Sequence, residues 1–195
     1  MTASAIQIGA EVTGSRAEPV TLPIGARAPD FDGLLGVDGG RHGLSSFADR
    51  ELVVLTFTAN RCPTVKAYVS RMNGLQADYG TRGVQLVAIN SNDPHAFPDE
   101  SYARMVEQAA ADGYRFPYLA DVGQHVARAY GPTRTFHAFV LDRARRLRYE
   151  GRFDDSRLPD RVTSRDLLDA LDDLLAGRAV AVPRTRPFGC SLELL

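Results

Sequence analysis

The stretch Leu52–Pro63, LVVLTFTANRCP, decides the fold of this chain. Residues 52–58 form an unbroken apolar and β-branched run without polar alternation, which is typical of a strand covered on both faces. Cys62 follows this run and stands directly before Pro63, and proline is favoured at the first position of a helix. The stretch therefore predicts a central strand that leads into a helix, with a cysteine at the junction.

A helix and a second strand are predicted immediately downstream. From Val65 to Tyr79 the apolar side chains recur every three or four residues, the pattern of an amphipathic helix. Residues 80–83 then turn the chain into a second buried-type run at 84–89, VQLVAI. A strand, helix, strand unit favours a parallel pair, so the predicted fold class is α/β.

The remaining chain is divided into further elements and three regions. We predict a flexible N-terminal arm over 1–22, a single domain over 23–178 and an extended C-terminal arm over 179–195 that carries Cys190. The domain is predicted to contain a hairpin and a helical turn within 34–47, a helix over Asp99–Ala111 with Asp99 and Glu100 near its positive end, a short extended piece at 116–119, a helix at 123–130, a hairpin of 136–141 with 146–149, and a closing helix at 164–176.

Composition limits the function classes. The 195 residues, 44% of them hydrophobic, suffice for one buried core. With 23 basic against 24 acidic residues and a net charge of -1, nothing draws the chain to nucleic acid or to an anionic membrane. There is no apolar run of membrane-spanning length, and residues 1–18 lack the pattern of a secretory signal, so we expect a cytoplasmic location.

The chain has two cysteines, which are too few for a disulfide scaffold and are therefore either packing residues or redox groups. At a helix start, backbone N–H groups and the helix dipole stabilise a thiolate, and Arg61 and Lys66 add positive charge nearby in sequence. The position of Cys62 thus predicts a reactive thiol of low pKa. The alternative, a small cysteine merely packed at a strand end, stays open.

Short segments spread from residue 24 to residue 192 resemble those of a known family. They are 25–31 (GARAPDF), 44–47 (LSSF), 57–63 (FTANRCP), 88–92 (AINSN), 116–119 (FPYL), 133–135 (TRT) and 189–191 (GCS). Together they are similar to the thioredoxin-like superfamily, in particular to the bacterial redoxin group related to peroxiredoxins and to the alkyl hydroperoxide reductase and thiol-specific antioxidant family. The resemblance implies a central mixed β-sheet flanked by helices, with Cys62 as the attacking thiol.

Departures from the family patterns narrow the chemistry. The Cys-x-x-Cys motif has lost its first cysteine to Ala59, so resolution of a mixed disulfide needs another thiol, and Cys190 is the internal candidate. Phe136 stands where thioredoxin-like proteins usually have a cis-proline. Because a non-proline cis bond costs about 2.5–4 kcal/mol, we expect a trans loop and an altered groove for thiol partners. The peroxiredoxin pattern Pro-x-x-x-Thr-x-x-Cys is also absent, since Thr58 lies four residues before Cys62.

The predicted site centres on Cys62 and Cys190 as catalytic residues. A disulfide between them requires Cα atoms within about 7 Å, which the sequence does not decide. The resemblance places Arg134 on the loop facing Cys62, where it would stabilise the thiolate and the peroxide oxygens, while an exposed loop arginine remains the alternative. The residues predicted to stabilise the thiolate or to face substrate are Asn60, Arg61, Pro63, Arg134, Thr135, Phe136 and His137.

The first functional hypothesis is a thiol-dependent oxidoreductase of peroxiredoxin-like type, with Cys62 attacking and Cys190 resolving. Its expected partners are a peroxide or a small thiol or disulfide and an external thiol reductant; no metal or other cofactor is called for, and a homodimer stays open. One alternative is a catalytically degenerate thioredoxin-fold binding module. Another is a variant that binds copper, haem or a metabolite through Cys62 and His137. Specialised sulfur chemistry on a small metabolite is the third.

Overall fold

The structure is a computed structural model that describes residues 22–192. The N-terminal arm predicted over 1–22 therefore lies outside the described residues except for Leu22. The strands are β1 (Leu34–Gly36), β2 (Arg41–His42), β3 (Leu52–Thr58), β4 (Val84–Asn90), β5 (Tyr118–Ala120), β6 (His137–Leu141) and β7 (Leu147–Gly151). The α-helices are α1 (Pro63–Gly80), α2 (Tyr102–Ala111), α3 (His125–Tyr130) and α4 (Asp166–Leu175), and short 3-10 turns occupy Leu44–Phe47, Pro98–Glu100 and Pro159–Arg161.

The strands form one mixed sheet in the order β2-β1-β5-β4-β3-β6-β7. The parallel pair predicted from the strand, helix, strand unit is β3 with β4, and β5 extends it in parallel. On its other side β3 pairs antiparallel with β6, which forms the predicted hairpin with β7. The N-terminal hairpin of β1 and β2 adds to β5 at the far edge. The predicted α/β fold with a mixed sheet flanked by helices is confirmed.

The two faces of the sheet pack against different layers. Because side chains alternate along a strand, Leu52 and Val54 of β3 face the layer of α1, α2 and α4, whereas Val53 and Leu55 face the layer of α3 and the N-terminal segment. Every residue of β3 is buried, as the run without polar alternation predicts. None of the helices in the region 22–192 combines the length and apolar character needed to cross a membrane.

One predicted helix begins later than the sequence indicates. The helix predicted from Asp99 begins instead at Tyr102, because Pro98–Glu100 forms a separate 3-10 turn and Ser101 is extended. Glu100 does not lie in the first turn of a helix as predicted. Its side chain turns inward, and its carboxylate accepts hydrogen bonds from the loop before Cys62.

The C-terminal arm crosses the sheet edge beside β7. The Glu150 N–H donates to the Pro183 carbonyl at 3.0 Å, and the Thr185 N–H donates to the Glu150 carbonyl at 3.1 Å. The two segments approach so closely that a Cβ at Gly151 would collide with Thr185. Pairing with β7 directs the rest of the arm towards the start of α1.

Candidate active site

Cys62 caps the start of α1, at the point where the chain has just left β3. Its backbone is extended, with φ -75° and ψ 115°, and Pro63 occupies the predicted first-turn position. The side chain is only 3% exposed. Cys62 therefore lies under the surface at a helix N-terminus, where only a small molecule gains access to its sulfur.

The C-terminal arm brings Cys190 directly to Cys62. The two Sγ atoms lie 2.6 Å apart although 128 positions separate the residues in sequence, and both cysteines are free thiols. Gly189 permits this approach: its φ is +151°, and any Cβ would collide with the Thr135 carbonyl oxygen. The sequence offered Cys190 as a resolving thiol without deciding its distance, and the fold places it in contact with Cys62.

Thr135 holds both cysteines. Its Oγ1 lies 3.1 Å from the Cys62 sulfur and accepts a hydrogen bond of 2.9 Å from the Cys190 N–H. The Thr135 N–H in turn donates to the Cys190 carbonyl oxygen at 2.9 Å. The Thr135 hydroxyl has two acceptors within reach of its proton, the Cys62 sulfur at 3.1 Å and the Cys190 carbonyl oxygen at 3.3 Å. Thr135 thus bridges the attacking thiol and the arm.

The two thiols differ in acidity. Burial raises the pKa of Cys62, but hydrogen bonding with Cys190 and Thr135 and the backbone of Val65 outweighs burial, so this pKa lies below its ordinary value. Burial and the interaction with Cys62 both raise the pKa of Cys190 above its ordinary value. Cys62 is therefore the more acidic of the two thiols, and Cys190 holds its proton more tightly. The pKa shift of Cys62 is in the direction that the sequence predicts for a cysteine at this position, and its main causes are hydrogen bonds with Cys190 and Thr135.

A buried carboxylate holds the loop that precedes Cys62. Glu100 Oε2 accepts hydrogen bonds from the Asn60 N–H at 2.8 Å and the Asn90 side-chain amide at 2.9 Å, while Oε1 accepts from the Arg61 N–H at 3.0 Å. Sequence reasoning missed this role and assigned Glu100 to a solvated helix start. The only local signal is its place after Pro98 and Asp99, a turn-forming context that does not reveal a partner 40 residues away.

A small cavity of about 210 Å³ opens onto the thiol pair. Its walls include Cys62, Cys190, Thr135 and Glu100, with Arg61 at the rim. The guanidinium of Arg61 lies over the ring of Phe97 at 5.2 Å from its centroid. The cavity therefore combines an acidified thiol, a second thiol, a hydroxyl and one cation.

Three of the predicted substrate-facing residues have other roles. The Asn60 side chain turns away from the thiols, donating to the Asp99 carbonyl and accepting from the Tyr118 hydroxyl, each at 2.9 Å. Arg134 is an exposed residue that donates to the Ser191 hydroxyl at 3.2 Å and does not line the cavity. The interactions that lower the Cys62 pKa come from neither Arg61 nor Arg134. Pro63 is exposed in the first turn of α1.

Phe136 is a core residue rather than a substrate-facing one. It is 2% exposed, and its ring packs between Tyr68 and Phe153, with centroids at 4.3 and 4.4 Å. Its φ of +71° is unusual for a bulky side chain. The expected trans geometry of this loop is confirmed, since no cis peptide bond occurs among residues 22–192.

The hypothesis of a Cys62 and His137 pair is wrong. His137 pairs with Phe57 across β3 and β6, and its ring stacks on Phe139 at 4.4 Å, on the face opposite to the layer that contains Cys62. The reason is the two-residue alternation of β6: Ala138 and Val140 face the layer that contains Cys62, so His137 and Phe139 face the other layer. Burial lowers the pKa of His137 to about 4, so it is neutral near pH 7. In the part of the chain that the structure describes, no three His, Cys, Asp or Glu side chains are grouped so as to hold a metal ion.

Comparisons with known proteins point to the thioredoxin-like redoxins. The model of the AhpC/TSA family matches residues 24–150, a range that includes Cys62 and Thr135 but not Cys190. The thiol-disulfide oxidoreductase ResA of Geobacillus thermodenitrificans is 27% identical over 126 residues, which are 65% of this chain and 67% of that protein.

Two solved structures extend the likeness over nearly the whole chain. The hypothetical protein SMc02350 from Sinorhizobium meliloti 1021 is 39% identical with a TM-score of 0.83, over 90% of this chain and 96% of that one. An uncharacterized conserved protein from Geobacillus kaustophilus is 37% identical with a TM-score of 0.84, over 90% of this chain and 94% of that one.

Proposed function

The chain belongs to the AhpC/TSA family, and from that premise we propose that it is an enzyme that reduces a hydroperoxide through the thiol pair of Cys62 and Cys190. Its group is that of the thioredoxin-like redoxins and thiol-disulfide oxidoreductases. The observation that carries the proposal is the contact between the two sulfur atoms, 2.6 Å apart in one small cavity. We propose that this cycle operates in the cytoplasm, which is a reducing compartment.

The first half of the cycle consumes the peroxide. The Cys62 thiolate attacks one peroxide oxygen and breaks the O–O bond, so that an alcohol or water leaves after taking up a proton, and Cys62 becomes a sulfenic acid. The Cys190 sulfur then attacks the Cys62 sulfur, the proton of Cys190 and the hydroxyl of the sulfenic acid leave as water, and a disulfide forms. The peroxide has gained two electrons and the thiol pair has lost two.

The environment of each sulfur supports these assigned roles. The lowered pKa of Cys62 makes it the nucleophile, and its 3% exposure restricts the first step to an oxidant of peroxide size. Cys190 keeps its proton because its pKa is raised, so it does not compete for the oxidant. Thr135 keeps Cys190 close enough to capture the sulfenic acid before a second peroxide arrives.

A second candidate activity is the exchange of a disulfide substrate, favoured by the ResA relative. In this route Cys62 attacks the substrate disulfide, and Cys190 releases the bound half by forming the same internal disulfide. Both candidates share the Cys62–Cys190 disulfide and differ only in the oxidant.

The test is a cysteine map after oxidation. The reduced protein is treated with one equivalent of hydrogen peroxide or, separately, with a small disulfide, the remaining thiols are alkylated, and the products are mapped by mass spectrometry. We expect a Cys62–Cys190 disulfide in the native chain, a Cys62 sulfenic acid in Cys190→Ser, and unmodified Cys190 in Cys62→Ser. Two untouched thiols would overturn the proposal and favour the degenerate binding module.

A further inference from the structure

Two exposed cations lie near the thiol pair, Arg61 in the wall of its cavity and Lys66 in a groove beside it. Arg61 and Lys66 are both exposed, and neither forms an ion pair with any residue in the range 22–192. Within the described residues, the side chain of Arg61 lies over the Phe97 ring and makes no ion pair. By contrast, Arg104 on the opposite wall is paired with Glu107 at 2.6 Å.

The same cations line a second depression that adjoins the cavity. A groove of about 520 Å³ runs beside α1 and shares Arg61 with the cavity around the cysteines. Arg61, Lys66 and Arg104 line it together with two carboxylates, Asp99 and Glu107, so its charged side chains sum to one net positive charge. A small thiol whose sulfur entered the cavity of the cysteines would pass Arg61, and its charged end would lie beside Arg61 and Lys66.

The chain's own arm pairs with the backbone of Thr135 beside the thiols, where an extended peptide would otherwise bind. A peptide substrate would need the Thr135 N–H for strand-like hydrogen bonding beside the thiols, but that group donates to the Cys190 carbonyl. Cys62 is buried, and Cys190 is the more exposed sulfur of the two. These contacts favour a small thiol over a protein as the direct reductant.

We propose that the reductant of the Cys62–Cys190 disulfide is a low-molecular-weight thiol that carries a carboxylate or another anionic group, bound through Arg61 and Lys66. The proposal rests on the proposed function, because it requires that disulfide to form. A first thiolate attacks the Cys190 sulfur, the S–S bond breaks, and Cys62 leaves as a thiolate. A second thiolate attacks the bound thiol's sulfur, which releases Cys190 and a small disulfide; two thiols have supplied two electrons.

Thiols of similar size but different charge test whether the charge of the thiol affects the rate of reduction. The disulfide form is mixed with 2-mercaptoethanesulfonate, 2-mercaptoethanol or cysteamine, which carry negative, zero and positive charge, and the rates are normalised to thiolate concentration. Since a contact ion pair in water is worth roughly a five-fold rate difference, we expect the anionic thiol to lead the neutral one by about that factor for each cation that it contacts. Its advantage should shrink at high salt, which screens exposed charges.

Substitutions of Arg61 and Lys66 test whether these two residues cause the preference for the anionic thiol. Arg61→Gln and Lys66→Gln should each slow the anionic thiol about five-fold and leave the neutral thiol unchanged. Arg157→Gln, which removes another exposed arginine that lines neither the groove nor the cavity, serves as the matched control. Equal charge dependence in all three variants, or faster reduction by a thioredoxin than by any small anionic thiol, would overturn the inference. Absence of the disulfide before any reductant is added would instead overturn the proposed function.

Discussion

Replacing Thr135 with valine removes one hydroxyl and keeps the shape of the side chain. In the native chain that hydroxyl lies 3.1 Å from the Cys62 sulfur and accepts from the Cys190 N–H at 2.9 Å. A hydrogen bond to a charged group contributes about 1.5–3 kcal/mol, and one pKa unit corresponds to about 1.4 kcal/mol. Loss of the donor to the thiolate should therefore raise the Cys62 pKa by about one to two units. Loss of the acceptor for Cys190 should also loosen the arm and slow disulfide formation about five-fold.

The assay is the pH profile of Cys62 alkylation, followed by mass spectrometry so that Cys190 is counted separately. Because only the thiolate reacts, a raised pKa shifts the midpoint of the rate profile to higher pH. The rate of internal disulfide formation after one equivalent of peroxide gives the second readout. Thr133→Val is the matched control, since Thr133 is exposed two residues away. An unchanged midpoint in Thr135→Val, or an equal shift in the control, would refute the reasoning.

Three further predictions test the surroundings of the site. Glu100→Gln replaces an acceptor oxygen with a donor facing buried N–H groups, so urea unfolding should show a loss of about 2 kcal/mol or more in the free energy of unfolding. A loss no larger than that of a surface variant such as Glu107→Gln would contradict the role of Glu100 in holding the loop before Cys62. Phe136→Pro should destabilise the fold by about 3–5 kcal/mol, because proline fixes φ near -65° where the chain has +71° and because the buried ring is lost. Native-like stability of this variant would show that the loop accommodates proline. Burial gives His137 a pKa of about 4 against an ordinary 6.5, so the neutral side chain contributes about 3 kcal/mol to folding stability above pH 6.5, and this contribution is lost as the pH falls towards 4. His137→Phe should remove this acid dependence of folding stability without changing the rate of Cys62 alkylation. Slower alkylation of Cys62 would contradict the place of His137 on the other face of the sheet.

Local patterns predicted the elements and the position of the nucleophile. The apolar run of β3, the periodicity of α1 and the proline after Cys62 each act over a few residues, so they are legible in the sequence. The direction of a side chain at the boundary of an element cannot be predicted in this way. Phe136 and His137 are neighbours in sequence, yet they lie on opposite faces of the sheet. Glu100 and Thr135 act through partners 40 and 55 residues away, and no local propensity encodes such contacts.

The long separation between the two cysteines ties the redox pair to the folded state. In a Cys-x-x-Cys motif the two thiols are close in sequence and remain neighbours even in a disordered chain. Cys62 and Cys190 are 128 positions apart, and only the pairing of the arm with β7 and Thr135 brings them together. On the chain-entropy view, closing a loop of that size removes about 5 kcal/mol of unfolded-state freedom. The disulfide should therefore form readily only in the native chain and stabilise it in return, so that oxidation of the site and stability of the fold are thermodynamically linked.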